Sequence, residues 1–327
     1  MKKILLAVSF LALLAGDVFG QRKAYYFSQF YQNPQILNPA FSGVDSVWTV
    51  DVGYRKTITD FDGSPESFFV GGNGTFPLSR YREGIGENRH AQYEAEESPQ
   101  SRHGVGAFVY KRSVSDYRHV VGGASYSYYV PLARSWTVSG GASFYIDNWN
   151  LDLDNLRPRR RDDPTYQDLL NDGGESTSYD LQVGVAVFRK NFYFGYTFSQ
   201  RLGSPTVSDE ADALVGYTGH GFNAGYRWIF SADWSLLGSA HYKILAHSKN
   251  AYLLAARADY KNVLDFGVAY KDRDAVTALF GLTVSKKIRF SYSYDLPTPE
   301  MSSDGKGSHE VVIGYQFLSG DKGRYFW

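Results

Sequence analysis

The sequence predicts an all-β protein, a transmembrane antiparallel β-barrel of about 14 strands behind an irregular N-terminal periplasmic lead-in. Three observations carry this expectation. Apolar and polar residues alternate with period two through most of the chain, giving each segment one greasy face. The segments are roughly nine to 15 residues long, enough to cross a bilayer at a tilt, whereas strands of soluble sheets average about five or six. The 26 Tyr, 22 Phe and 6 Trp among 327 residues gather near segment ends. Tyr217, Trp228, Phe230, Trp234, Tyr242, Tyr252, Tyr260 and Tyr270 are placed as interfacial girdles would be.

The elements follow in order. Lys2 and Lys3, the apolar run Ile4 to Leu14 and the ending Val18-Phe19-Gly20 have the layout of a secretory signal peptide over 1–20, cleaved near Gly20/Gln21. A membrane anchor is the other reading, but the run falls short of the roughly 20 apolar residues that a spanning helix needs. In the lead-in, 21–46, Asn33-Pro34 and Asn38-Pro39 oppose regular helix or a central strand. Covering Phe27, Phe30, Tyr31, Ile36, Leu37 and Phe41 places it in or under the barrel mouth. The barrel, 47–317, divides into strands 47–57, 66–76, 103–112, 119–131, 134–148, 178–190, 191–199, 217–230, 232–245, 250–260, 262–271, 274–284, 286–296 and 308–317. The clearest is 286–296, where Ile288, Phe290, Tyr292 and Tyr294 alternate with Arg289, Ser291 and Ser293. An even count brings both barrel ends to one side of the membrane. Residues 318–327 form a short periplasmic tail, with Trp327 as the true terminal strand residue the alternative.

Connection lengths orient the barrel, because this class has short periplasmic turns and long outer loops. With a periplasmic N-terminus, the turns at 132–133, 189–191, 231, 261–262 and 285 fall inside, and the long connections 149–177, 200–216 and 297–307 fall outside. The charged connection 77–102 disobeys. It reads as a solvated loop or a docking surface for a periplasmic partner.

Composition excludes several functions. Lys+Arg and Asp+Glu both number 34, so no general basic field exists to hold nucleic acid. Cysteine is absent, which removes disulfides, thiolate metal sites and thiol nucleophiles. Sequence motifs for cofactors and metals are lacking: there is no HExxH, and His309-Glu310 has no further ligand near it. Gly71, Gly72 and Gly74 sit in a strand pattern without a following Gly-Lys-Ser/Thr, which favours close backbone packing over phosphate binding. Asp152, Asp154, Asp162 and Asp163 lack the glycine turn of a calcium loop and are mixed with Arg157, Arg159, Arg160 and Arg161. No GxSxG elbow marks a nucleophile. The chain is therefore not expected to be an enzyme. Predicted inward positions Asn223, Arg227, His241, Lys243, Arg257, Asp259 and Asp265 suit either a water-filled pore or a lumen sealed by paired charges and the lead-in.

Particular strings narrow the field. Phe27-Ser28-Gln29-Phe30-Tyr31-Gln32-Asn33-Pro34, followed by Leu37-Asn38-Pro39-Ala40-Phe41-Ser42-Gly43, resembles the N-terminal signature of the PorP/SprF family. Tyr54-Arg55-Lys56 with Phe61-Asp62-Gly63-Ser64-Pro65 resembles its first strand and hairpin. Asp272-Arg273-Asp274-Ala275-Val276 with Ala278, Leu279 and Gly281 resembles a late hairpin. Tyr292-Ser293-Tyr294-Asp295 and Ser308-His309-Glu310 with Gly314, Tyr315 and Phe317 resemble its C-terminal region. The match runs from about Phe27 to Phe317. Its signature residues here are Asn38, Pro39, Gly43, Asp62, Gly63, Pro65, His309, Glu310 and Phe317. Two features depart from the family pattern, the long 77–102 connection and the continuation past Phe317.

The resemblance implies a bacterial outer-membrane protein of the type IX secretion and gliding machinery of Bacteroidota. It implies outer-membrane lipid, a secreted adhesin or its C-terminal domain, and periplasmic or lipoprotein type IX components as partners, with no cofactor. The expected function is a non-catalytic docking platform that anchors or helps export cargo. Arg157, Arg159, Arg160 and Arg161, together with loop 200–216, are its candidate cargo contacts, since binding concentrates in long loops on rigid scaffolds. The alternative is a diffusion channel or small-solute transporter.

Overall fold

The computed structural model describes residues 27–45, 47–58, 63–76, 101–133, 136–153, 173–202, 218–246, 250–284, 287–298 and 306–317. Fourteen strands form one closed antiparallel barrel, each paired with its sequence neighbours, and β1 closes the ring on β14. They are β1 Thr49–Ile58, β2 Glu66–Phe76, β3 Arg102–Val114, β4 Tyr117–Ala133, β5 Trp136–Leu151, β6 Glu175–Arg189 and β7 Phe192–Leu202. The second half comprises β8 Gly219–Ile229, β9 Trp234–Leu245, β10 Ala251–Tyr260, β11 Leu264–Lys271, β12 Ala275–Val284, β13 Ile288–Pro297 and β14 Gly307–Gln316. Closure leaves no unpaired strand edge, the condition for a sheet to survive in hydrocarbon. No helix among the described residues is long and apolar enough to cross a membrane.

The polarity of the wall is the reverse of a soluble barrel's. On β1, Thr49, Asp51, Arg55 and Thr57 are buried in the interior while Val52, Tyr54 and Ile58 are exposed on the outside. On β6 the outward set is Tyr179, Leu181, Val183 and Val185, and Ser178, Asp180 and Gln182 point inward. Aromatic pairs mark both rims. Trp234 and Tyr260 lie 4.6 Å apart at the end that carries the first residue of β1, and Tyr252 and Tyr270 lie 5.8 Å apart at the other. These ends are called the termini end and the loop end below. Tyr217 lies outside the described residues.

Every predicted strand is present, with shifted limits. The hairpins β3 to β6 outrun the expected segments, and β8 begins two residues later than expected. The apolar alternation fades before the ladder does: cross-strand polar pairs such as Asn148 with Thr177 (2.9 Å) continue the sheet beyond its greasy band. Phe317 falls one residue past β14, yet its N–H still donates to Trp48 O at 2.9 Å. The β10–β11 connection is three residues, 261–263, with Lys261 and Asn262 both at positive φ (56° and 54°) and the Val263 N–H donating to Tyr260 O at 3.0 Å, a turn that matches the twist of its strands.

Candidate functional site

The lead-in occupies the lumen. Three short 3-10 turns, Phe30–Gln32, Pro34–Ile36 and Pro39–Phe41, follow one another, two of them opening on the prolines that forbid regular structure. From Phe27 to Val44 every residue except Ile36 is buried. Phe27 packs edge-on against Phe69 (4.3 Å) and Tyr110 (5.0 Å). Phe41 does the same against Phe188 (5.7 Å) and Tyr193 (5.6 Å). Phe30, Tyr31, Leu37, Ala40 and Val44 join a cluster with Leu237, Leu253 and Leu279 from the far wall. The interior is thus a packed apolar core as well as a polar surface. Of the two lumens left open by the sequence, the described residues form the filled one.

At the loop end the plug is held by charge. Glu310 accepts the backbone N–H groups of Ser28 and Gln29 on its two oxygens, each at 3.0 Å. Ser28 Oγ donates to Asp295 (2.8 Å) and accepts from Arg55 (2.9 Å) and Lys271 (3.0 Å). Arg55 and Lys271 in turn pair with Asp295 at 2.6 and 2.8 Å. All four charged side chains are buried, so each depends on the others for the solvation that water would supply. A second network, between Asp147, His119 (2.6 Å), Arg201 (2.7 Å) and Asp180 bonded to Arg201 (3.1 Å), lines the lumen across β4 to β7 near the same end.

Toward the termini end the plug is held mostly by neutral groups and by the absence of side chains, with arginines added at Val44 and Tyr31. Asn38 Nδ2 donates to Val185 O (3.3 Å) and Tyr196 O (3.2 Å), a directly paired couple on β6 and β7, while its Oδ1 accepts from Ala40 N (2.9 Å). Glycines make this approach possible. A Cβ on Gly184 would lie 2.0 Å from Asn38 Oδ1, on Gly104 1.9 Å from Ser42 O, and on Gly141 2.5 Å from Pro39 C. Ser42 O accepts from Ser127 (2.8 Å) and Tyr129 (2.9 Å), and Ala40 O accepts from Ser139 (2.7 Å). Arg102 donates to Val44 O (2.9 Å) and covers the Tyr129 ring at 4.4 Å. Tyr31 sits between the guanidiniums of Arg257 (4.1 Å) and Arg289 (5.4 Å), the latter paired with Asp265 at 2.7 Å.

The signature residues fall into this arrangement. Asn38 and Pro39 fill the glycine slot, and Glu310 clamps the plug's leading end. Gly43 turns at φ +65°, where a Cβ would meet Gly74 O at 2.4 Å. Gly63 turns at φ +83° against Ser115, and Pro65 O accepts the Thr57 N–H at 2.9 Å. His309 points outward and bonds Tyr292 at 2.7 Å. Phe317 packs against Tyr315 at 4.9 Å. Gly71 and Gly74 face Asn33 and Trp48, the close packing expected of them. Asp62, Arg157, Arg159, Arg160 and Arg161 lie outside the described residues, as do 1–26, most of 77–102 and of loop 200–216, and the tail 318–327.

Arg55, Lys271, Asp295 and Ser28 did not stand out in the sequence as one site. Strand parity alone puts Arg55, Lys271 and Asp295 on the inner face, and that signal was available. Their convergence on Ser28 depends on barrel closure. No group of His, Asp and Glu among the described residues is set to hold a metal ion.

Polar interior, apolar exterior, two aromatic rims and a lumen filled by the chain's own leading segment define a plugged outer-membrane β-barrel. The family described as type IX secretion system membrane protein PorP/SprF matches residues 20–315. The chain belongs to this family. No curated protein matches it. Solved structures with similar folds include the toluene transporter TbuX of Ralstonia pickettii, 9% identical with a TM-score of 0.49, over 87% of this chain and 93% of that one. The toluene transporter TodX of Pseudomonas putida is 13% identical with a TM-score of 0.48, over 91% and 95%. The KdgM porin is 9% identical with a TM-score of 0.37, over 83% and 99%.

Proposed function

We propose that this protein is a non-catalytic docking platform in the outer membrane that anchors or helps export a type IX cargo protein, such as a large surface adhesin held through its C-terminal domain. The observation that carries the reading is the plug: a segment continuous with β1, packed against both hydrophobic clusters and hydrogen-bonded at both ends. A lumen filled in this way suits a rigid support better than a path for solutes. The termini end, with its short turns, is assigned to the periplasm and the loop end to the outside, following the behaviour of outer-membrane barrels. Cargo contact is assigned to the long loops, first Arg157, Arg159, Arg160 and Arg161 and then 200–216. Periplasmic or lipoprotein components of the machinery are assigned to the other end, where 77–102 and the tail 318–327 belong. The leader is assigned to 1–20.

The test is co-purification of the full chain in mild detergent, followed by mass spectrometry. A large surface protein or type IX components are the expected companions. Their absence would favour the alternative of a diffusion channel or small-solute transporter. Deleting 152–172 is expected to release cargo while the barrel remains at normal abundance. Unchanged retention would reject that loop's role.

A further inference from the structure

On the strands the charged side chains divide by direction. Arg55, Arg201, Lys243, Arg257, Lys271 and Arg289 point into the lumen. On the outside, near the loop end, the described strands carry the cations Lys56, Lys111 and Arg118, and all three lie within the sector β1 to β4, on β1, β3 and β4. The register puts them in one patch. Lys56 is opposite Glu66, Glu66 opposite Ser113, and Ser113 opposite Arg118, a single row across four strands. Lys111 lies two residues nearer the middle of β3, opposite Phe68 and Val120. His309 extends the row on the other side, opposite Lys56.

Among the strand residues the patch is net basic, three cations to one Glu66, with Asp116 and Asp152 standing above it in the loop-end connections. Lys56 pairs with Glu66 at 2.8 Å, both side chains about half exposed (53% and 45%), whereas Lys111 and Arg118 form no salt bridge among the described residues. Immediately below it toward the middle of the wall are Val52, Tyr54, Phe68, Val70, Val109 and Val120, all exposed. Elsewhere on the same rim the outward strand residues are apolar, as at Phe198, Leu202, Ile244, Tyr252, Val276 and Leu296, or neutral-polar and anionic, as at Asn148, Glu175, Thr177 and Gln200. Cations that merely anchored a barrel at the water boundary would be spread around it. Here the outward cations of the strands themselves lie in one arc directly above a lipid-facing wall, while Arg273 in the β11–β12 turn is paired with Asp272 at 2.7 Å, and that arc is the placement in which basic side chains attract anionic headgroups.

We infer that the outward arc Lys56, Lys111 and Arg118 is a binding site for the phosphate groups of an outer-leaflet glycolipid. The inference rests on the proposed orientation, in which the loop end faces outward. A lipid held there covers the β1–β4 sector and leaves the apolar rim of β7 to β13 to ordinary bilayer.

Native mass spectrometry of the full-length protein in detergent micelles tests this, with bis-phosphorylated lipid A, phosphatidylglycerol or inorganic phosphate added separately. The unmodified protein is expected to retain lipid A. The triple variant Lys56→Gln, Lys111→Gln, Arg118→Gln should retain on the order of a hundredfold less while migrating as a folded barrel. Arg189→Gln, which removes an outward cation at the opposite rim, should retain it fully. Equal retention by the triple variant, an equal loss in Arg189→Gln, equal binding of phosphatidylglycerol, or displacement by inorganic phosphate would each overturn the assignment. Orientation is read separately. In this cysteine-free chain, Asn250→Cys should react with an impermeant maleimide on intact cells and Ser231→Cys should not. The reverse labelling would overturn the orientation, whereas failed lipid retention with correct labelling would remove the lipid site alone.

Discussion

The two ends of the plug are held by opposite means. At the loop end, buried Arg55, Lys271, Asp295 and Glu310 converge on two backbone amides and one hydroxyl. Toward the termini end, mostly neutral hydrogen bonds and missing Cβ atoms let one backbone lie against another, and the arginines there reach a carbonyl and a ring rather than a buried carboxylate of the clamp. The first device fixes position through charges that tolerate no missing partner. The second fixes it through shape. A segment without regular structure needs both, because it cannot satisfy its own backbone groups and must borrow partners from the wall.

The largest effect is expected where a buried charge loses its partner. Arg55→Met leaves Asp295 and Glu310 with Lys271 alone and should cost about 3–5 kcal/mol, read as a fall in the temperature at which the folded barrel form disappears on a gel. Adding Glu310→Gln should recover part of that loss, and a strictly additive double variant would show that the two side chains are not coupled. The next effect belongs to the glycine seat. Gly141→Val drives a side chain into the Pro39 backbone, which cannot rotate away, and should cost near the top of the about 1–3 kcal/mol seen for overpacked cores. If Gly141→Val proved as harmless as an exposed substitution, the shape half of the comparison would fail.

Smaller again is Tyr129→Phe, which removes one of two donors to Ser42 O and should cost about 1 kcal/mol, measured by the same gel assay. Least of all is Lys56→Gln. Its pair with Glu66 is exposed on the outer wall, and thermal unfolding should not change measurably. A large loss there would mean that outer-surface charge, rather than the lumenal network, holds the barrel.

Much of this was legible from period-two alternation. All fourteen strands, and the inward set Asn223, His241, Lys243, Arg257 and Asp265, follow from which face of each strand is apolar. The strand ends of β3 to β6 were less legible, because hydrated hairpins continue on hydrogen bonds after the greasy signal stops. Asn33-Pro34 and Asn38-Pro39 announced an irregular lead-in. The site itself was only half readable. Ser28 lies 267 residues from Asp295 and 282 from Glu310, and no local pattern reports a contact created by ring closure. The lumenal glycines were visible as glycines in strands, but their common partner was not.

Ion conductance of the purified full-length protein in planar lipid bilayers tests the central claim most directly. A lumen filled by residues 27–45 should leave the bilayer sealed, with no steady current above the protein-free membrane. A stable, ohmic, single-channel current from the unmodified chain would show an open path through the barrel and contradict the plugged platform.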